Sequence, residues 1–170
     1  RGEIALEAGV MIFRVGLGYD VHPLVAGETL ILGGVVIPHD RGLRGHSDGD
    51  VLSHAIMDSL LGACGLPDIG TFFPPGDPSY WKVRSILLLK KVCQMLRDQG
   101  WEIQNIDSTI IAEQPRIAPF VPEMKHELAQ AMGIEMSALG IKATTNEGLG
   151  SIGRGEGISC FAVSSIFKGG

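Results

Sequence analysis

Apolar side chains fall on Phe13, Val15, Leu17, Tyr19 and Val21, and Arg14, Gly16, Gly18, Asp20 and His22 fill the positions between them. Alternation of period two predicts a strand over roughly residues 13–21, with Asp20 and His22 on one face. A second apolar run, ETLILGGVVIP at 28–38, is expected to pair beside it, with Gly33-Gly34 marking a bulge. The stretch HSDGDVLSHAIMDSLLGACG, residues 46–65, then changes to helical spacing, with an apolar stripe of Val51, Leu52, Ala55, Ile56 and Leu60. Ser47 is the expected N-cap, and Gly65 marks the stop. Asp50, His54 and Asp58 follow one another at intervals of four and form a ridge beside the stripe, the pattern of a solvated face.

LPDIGTFFPPGDPSY, residues 66–80, is too rich in proline and glycine for a regular element. Ile86, Leu87, Leu89, Val92, Cys93 and Leu96 predict a second helix over about 81–98, ended by Gly100. EIQNIDSTII then reads as a strand, and Pro122 suits the first turn of a third helix closing near Gly133. A further strand, a glycine-rich loop and a final strand complete the chain. Interleaved strands and helices of this kind predict an α+β fold, a mixed-sheet α/β sandwich with helices on one face of the sheet. The other face would then need a partner, which points to an oligomer.

The 170 residues, 45% hydrophobic, suffice for one domain with a sizeable core. Residues 1–11, with Met11 next to the first strand, read as an N-terminal extension before a single domain at 12–168. A net charge of −5 with dispersed lysines and arginines argues against a nucleic-acid surface. No apolar stretch approaches the length of a membrane span, and the start resembles neither a signal nor a transit peptide. A bacterial cytosol is the expected setting, ahead of a plastid stroma. Cys64, Cys93 and Cys160 are odd in number and far apart, as expected of buried thiols in a reducing compartment.

Three clusters carry candidate chemistry. Asp20, His22 and His54 would make a set of three ligands with an open fourth place, as a catalytic zinc ion requires, although His39 and His46 compete for the role. KATTNEGLGSIGRGEG, residues 142–157, offers the hydroxyls of Thr144 and Thr145, the Glu147 carboxylate and the Arg154 guanidinium, among glycines that let backbone amides approach an anion. Glu147 suits Mg²⁺ shared with phosphate oxygens. Two prolines force AEQPRIAPF, residues 112–120, into a defined loop whose main chain could read a nucleobase. Asp68 is placed to meet a polyol hydroxyl. There is no nucleophile elbow and no catalytic cysteine signature.

GYDVHP, HSDGDVLSHAIMDSLLG, DIGTFFP, IIAEQPRIAPFVP and IKATTNEGLGSIGRGEGISC, in this order and spacing, resemble the 2-C-methyl-D-erythritol 2,4-cyclodiphosphate synthases of the non-mevalonate isoprenoid pathway. The resemblance covers roughly residues 12–167. It implies zinc on Asp20, His22 and His54, and Mg²⁺ or Mn²⁺ on Glu147 beside Thr145. It also implies substrate contacts at His46, Ser47, Asp58, Asp68, Ile69, Gly70 and Asp77, of which the segment of Asp68 and Gly70 would meet the methylerythritol part, and a cytidine pocket at Ala112, Pro115, Arg116, Ile117 and Ala118. Thr145, Glu147 and Arg154 would form the diphosphate and cation region, with Thr144 and Ser151 as further substrate contacts. The implied reaction turns 4-diphosphocytidyl-2-C-methyl-D-erythritol 2-phosphate into the 2,4-cyclodiphosphate and CMP, in a homotrimer with active sites between subunits. Pro75, Arg116 and Asn146 depart from the pattern, where Asp, Lys and Thr respectively are usual; none is a metal ligand. Two alternatives use the same residues: a zinc phosphohydrolase with Asp50 or Asp58 as base, and a non-catalytic trimer holding a nucleotide or an isoprenoid diphosphate in an apolar central channel.

Overall fold

The computed structural model describes residues 10–169. The start of the expected extension therefore lies outside the described residues, whereas Met11 already pairs with Gly169. Five strands form one mixed sheet in the order β4-β1-β7-β5-β6, from β1 (Met11–Ala26), β4 (Arg41–Leu43), β5 (Glu102–Ile111), β6 (Leu139–Thr144) and β7 (Gly157–Gly169). All neighbours are antiparallel except β5 and β6. The long register of β1 on β7 sets Asp20 opposite Cys160 and His22 opposite Ile158.

The second apolar run does not join β1. It folds on itself as β2 (Ile31–Leu32) and β3 (Val35–Val36), a separate two-stranded hairpin. Gly33 and Gly34 form its turn and not a bulge, because φ values of +57° and +78° reverse the chain as a two-residue hairpin loop requires. The strand that joins the free edge of β1 is β4.

Helix α1 (Val51–Ala63) crosses β1 at unusually close range. A Cβ on Gly16 would stand 1.9 Å from the Ser59 carbonyl oxygen, and one on Gly18 would stand 1.9 Å from that of Ala55. Only glycine at these inward positions lets the helix backbone rest on the strand. The N-cap is Asp50, not Ser47: its carboxylate accepts from Ser53 N and Oγ, and also from the Gly33 and Gly34 amides of the hairpin turn. The supposed solvated ridge is thus interior at Asp50 and His54, because α1 lies between the sheet and α3.

α2 (Ile69–Phe72) is one turn within the proline-rich segment. α3 (Ser85–Asp98) starts four residues later than the apolar spacing predicts, since a 3-10 turn at Pro78–Tyr80 and a positive φ at Lys82 interrupt the approach. Leu87 faces outward and Leu88 inward, contrary to the predicted stripe. α4 (Val121–Met132) has Pro122 in its first turn and ends on left-handed Gly133, as predicted. α5 (Gly150–Gly153) is a single turn before β7.

The helices cover one sheet face. On the other, Phe13, Val15, Leu17, Tyr19 and Val21 are 44–68% exposed and are joined by Phe161 and Val163 of β7. The three cysteines are free and buried, and burial pushes the Cys93 thiol up to about 12. Among the described residues no helix is long and apolar enough to cross a membrane.

Candidate metal and substrate site

β1 supplies Asp20 and His22 on the face that meets α1, and α1 supplies His54. Asp20 Oδ2 lies 2.9 Å from His54 Nδ1 and 3.0 Å from His22 Nε2, and the two ring nitrogens are 3.2 Å apart. A tetrahedral zinc ion with bonds of 2.0–2.2 Å needs donors about 3.3–3.6 Å apart, so three ligands already stand almost where such an ion requires them. Among the described residues no other group of three or more His, Cys, Asp or Glu offers such a cluster. Burial opposes the charge on Asp20, but hydrogen bonds and attraction from both histidines outweigh it and hold the carboxyl well below the usual range. Burial likewise opposes a proton on His22, yet the Asp20 contact raises its pKa. His39 does not compete, since it is set against its neighbour Asp40. His46 lies edge-on to Trp81 and not on the triad.

The triad opens into a cavity of about 340 Å³ lined also by His46, Ser47, Ile69, Gly70, Phe73, Pro75, Tyr80 and Leu88. Four of the residues assigned by resemblance to the substrate, His46, Ser47, Ile69 and Gly70, are therefore here. Asp58, Asp68 and Asp77 are not in the lining. They hold its walls: Asp58 accepts from Ile69 N at 2.9 Å, Asp68 caps α2 through Thr71, and Asp77 caps the 3-10 turn through Ser79. Asp50 is unsuited to act as a base, because four donors consume its fully buried carboxylate.

A second hollow of about 260 Å³ lies where β5 and β6 end, lined by residues 112–118 with Ala143, Thr144 and Thr145. Ala112, Pro115, Arg116, Ile117, Ala118, Thr144 and Thr145 thus come together as one groove. Beside it, Thr145 Oγ1 donates to Glu147 Oε1 at 3.2 Å. Ser151 lines a further hollow of about 240 Å³ that also touches His22, and Arg154 is paired with Glu156 at 2.7 Å. The groove and the metal cavity share no residue. Three strand spacings separate β1 from β6, or about 14 Å.

Sequence reasoning missed Asp48, Ser85 and Glu113. Ser85 Oγ is 2.8 Å from His54 Nε2 and donates to Asp48, a contact across 31 residues with no periodic signature. Glu113 accepts from the amides of Asn146 and Gly148 and so ties the groove to the loop that carries Glu147.

A small α+β domain with a strand-and-helix triad of two imidazoles and one carboxylate, opening on a cavity, is the frame of a divalent-metal enzyme. The chain belongs to the YgbB family, whose model matches residues 13–167. A Prochlorococcus marinus 2-C-methyl-D-erythritol 2,4-cyclodiphosphate synthase is 57% identical over 158 residues, covering 92% of this chain and 95% of that protein. The Nostoc punctiforme synthase of the same name is 52% identical over 155 residues, covering 91% and 97%. Among solved structures, the bifunctional IspDF of Campylobacter jejuni superposes with a TM-score of 0.90 at 36% identity, over 94% of this chain and 43% of that longer one. The Plasmodium falciparum IspF CDP complex gives 0.80 at 35% identity, over 92% and 96%.

Proposed function

We propose that this chain converts 4-diphosphocytidyl-2-C-methyl-D-erythritol 2-phosphate to 2-C-methyl-D-erythritol 2,4-cyclodiphosphate with release of CMP. The observation that carries the reading is the convergence of Asp20, His22 and His54 on one point at the head of a cavity. A 2-phosphate oxygen forms a bond to the β-phosphorus, the bond from that phosphorus to the α–β bridging oxygen breaks, and the electron pair leaves with CMP. Nucleophile and electrophile belong to one molecule, so the protein's task is to fold the substrate in line and neutralise charge. That the sequence carries no nucleophile elbow and no catalytic cysteine signature fits that task.

Asp20 Oδ2, His22 Nε2 and His54 Nδ1 would hold zinc, and Glu147 would hold Mg²⁺ or Mn²⁺. Bound there, the ions supply Lewis acidity to phosphoryl oxygens and offset the repulsion of two phosphates. Ile69, Gly70, Phe73 and Tyr80 shape the polyol end, with His46 and Ser47 beside it. The loop from Ala112 to Ala118 presents main-chain groups to the cytosine, and Thr144, Thr145, Ser151 and Arg154 offer donors to the diphosphate.

The distance between groove and cavity supports pairing the groove of one subunit with the cavity of the next. The bare apolar face of β1 and β7 supports a homotrimer closed around it, leaving an apolar channel on the axis suited to an isoprenoid diphosphate. Cyanobacterial relatives support a bacterial cytoplasmic setting.

The test is incubation with the diphosphocytidyl substrate, Mg²⁺ and Zn²⁺ in ¹⁸O-water, followed by ³¹P NMR and mass spectrometry. CMP and an unlabelled cyclic product are expected, with turnover abolished in a folded His54→Ala protein. Linear, ¹⁸O-labelled products would replace this reading with hydrolysis, and no turnover would leave a binding module.

A further inference from the structure

We infer that Asp48 and Ser85 are positioning residues that act through His54: together they set which nitrogen of its ring is free to take a metal. The inference rests on the metal reading above and concerns residues outside the ligand set.

The two imidazoles of the triad turn different nitrogens to the shared point, His22 its Nε2 and His54 its Nδ1. They therefore need opposite tautomers, and each must be stabilised by what its other nitrogen meets. For His22 the partner is main chain: Nδ1 lies 3.0 Å from the Arg44 carbonyl oxygen, which only accepts, so Nδ1 carries the proton. For His54 the partner is a hydroxyl. Nε2 lies 2.8 Å from Ser85 Oγ and 3.0 Å from Ser47 Oγ, and a hydroxyl can donate or accept. Taken alone, these serines would leave the tautomer of His54 undecided.

Asp48 removes the ambiguity. Its Oδ1 lies 2.5 Å from Ser85 Oγ, and its Oδ2 accepts from Ser85 N at 3.0 Å. Both oxygens of Asp48 thus face donors of Ser85, and Ser85 directs its single hydroxyl proton to Asp48. Ser85 Oγ is then an acceptor toward His54, and Nε2 must be the donor. Ser47 Oγ, 3.1 Å from Ser85 Oγ, can give its proton to the remaining lone pair. Ser85 is fully buried, and Ser47 is nearly so at the edge of the cavity. The direction of the Ser85 proton follows from the carboxylate at the end of the chain. With Nε2 holding its proton, a neutral ring has its lone pair on Nδ1, 2.9 Å from Asp20 Oδ2, a contact that needs either a cation between the two atoms or a second ring proton.

The geometry also shows what a change at position 48 would do. In Asp48→Asn, an amide nitrogen must face either Ser85 N or Ser85 Oγ. The first opposes donor to donor. The second reverses the hydroxyl, so that Ser85 donates to Nε2 and the proton is driven to the nitrogen the metal needs. Ser85→Ala cuts the chain in the middle but leaves Asp48 in place, whereas Ser85→Thr keeps a hydroxyl.

The experiment measures Co²⁺ and Zn²⁺ affinity of the full chain by competition with a chromophoric chelator. It also records the exchangeable ring N–H proton resonances of the Co²⁺-loaded protein, one for each coordinated histidine. Thermal melts of the metal-free proteins identify any variant that does not fold. The wild type should bind at this site and show both resonances. Asp48→Asn and Ser85→Ala should bind about 10–100-fold more weakly, the usual cost of losing such an outer partner. The His54 resonance should be lost to exchange while that of His22 stays, and Ser85→Thr should restore both. Wild-type affinity in the folded Ser85→Ala and Asp48→Asn proteins would overturn the inference, as would weakened binding with both resonances intact, which would mean a general structural effect. A wild type that binds no metal at this site overturns the metal reading itself, and the inference with it.

Discussion

Gly18→Ala tests whether the close packing of α1 on β1 assembles the site. The added Cβ would stand 1.9 Å from the Ala55 carbonyl oxygen, 2.7 Å from Ser59 N and 2.9 Å from the Ala55 carbonyl carbon. All three are main-chain atoms, so no side chain can turn aside, and ordinary contact begins near 3.4 Å. The helix must retreat by about 1.5 Å if it accepts the methyl, a core overpacking of the kind that costs ~3 kcal/mol. For a chain of this size that lowers Tm by about 6–12 °C. The same retreat carries His54 away from Asp20. Their 2.9 Å separation would stretch toward ~4 Å, past the donor spacing of about 3.3–3.6 Å that a tetrahedral zinc ion bridges. Two losses should therefore appear together in melts with and without Zn²⁺: a lower metal-free Tm, and a smaller rise on adding metal. Gly62→Ala is the control. Its nearest neighbour outside the helix backbone is the Leu17 carbonyl oxygen at 3.9 Å, so the methyl fits and should leave stability unchanged or raise it by up to about 1 kcal/mol. A Gly18→Ala protein that melts within 2 °C of wild type (roughly 1 kcal/mol or less) and keeps its full response to zinc would refute the reasoning.

Asp50→Asn should cost about 1–3 kcal/mol in guanidinium unfolding, because an amide NH₂ would face buried donors that now share a carboxylate. An unchanged midpoint would show that Asp50 does not hold α1 to the hairpin. Glu113→Ala releases the amides of Asn146 and Gly148, and should raise the substrate KM roughly fivefold, about 1 kcal/mol, while zinc affinity stays the same. A fall in zinc affinity would contradict the separation of groove and cavity. Leu17→Asp places a charge on the bare apolar face, and sedimentation should show a trimer for wild type and a dissociated, inactive but metal-binding variant. A monomeric wild type would remove the trimer from the proposal.

What could be read from the chain beforehand was whatever repeats with a local period. β1 was legible because its alternation runs unbroken over ten residues or so, and that alternation also set Asp20 and His22 on one face. α4 was legible at both ends, since proline and glycine act there through their own backbone preferences. Errors arose where long-range contacts override local pattern. Asp50 looked like part of a wet ridge because nothing nearby in sequence reveals that Gly33 and Gly34 dock against it. Ser47 and Asp50 are equally plausible caps by residue type, and the choice fell to Asp50 only in the folded chain. The start of α3 was misplaced because apolar spacing says nothing about a positive φ at Lys82. Ser85 carried no signal at all, as its importance lies in a contact with His54 on another helix.

The placement of the site's parts separates two demands. The three ligands stand on rigid elements: Asp20 and His22 within a strand flanked over most of its length by β7, and His54 on a helix that two glycines seat against that strand. Atoms that must lie within a few tenths of an ångström of a metal geometry need such supports. The polyol cavity and the groove, by contrast, take most of their lining from residues 69–80 and 112–118, in short turns and proline-bound loops. On the proposed reading, Pro75 in the cavity and Arg116 in the groove would alter contacts to substrate without moving a candidate ligand. Arg116 presents a planar fork where a lysine would present a single point of charge, so on that reading its consequence would fall on substrate affinity. The candidate metal triad and the loops around it therefore rest on different supports, though the triad itself lines the cavity and other residues also join the two. Ser47 is one, touching His54 and lining the cavity at once.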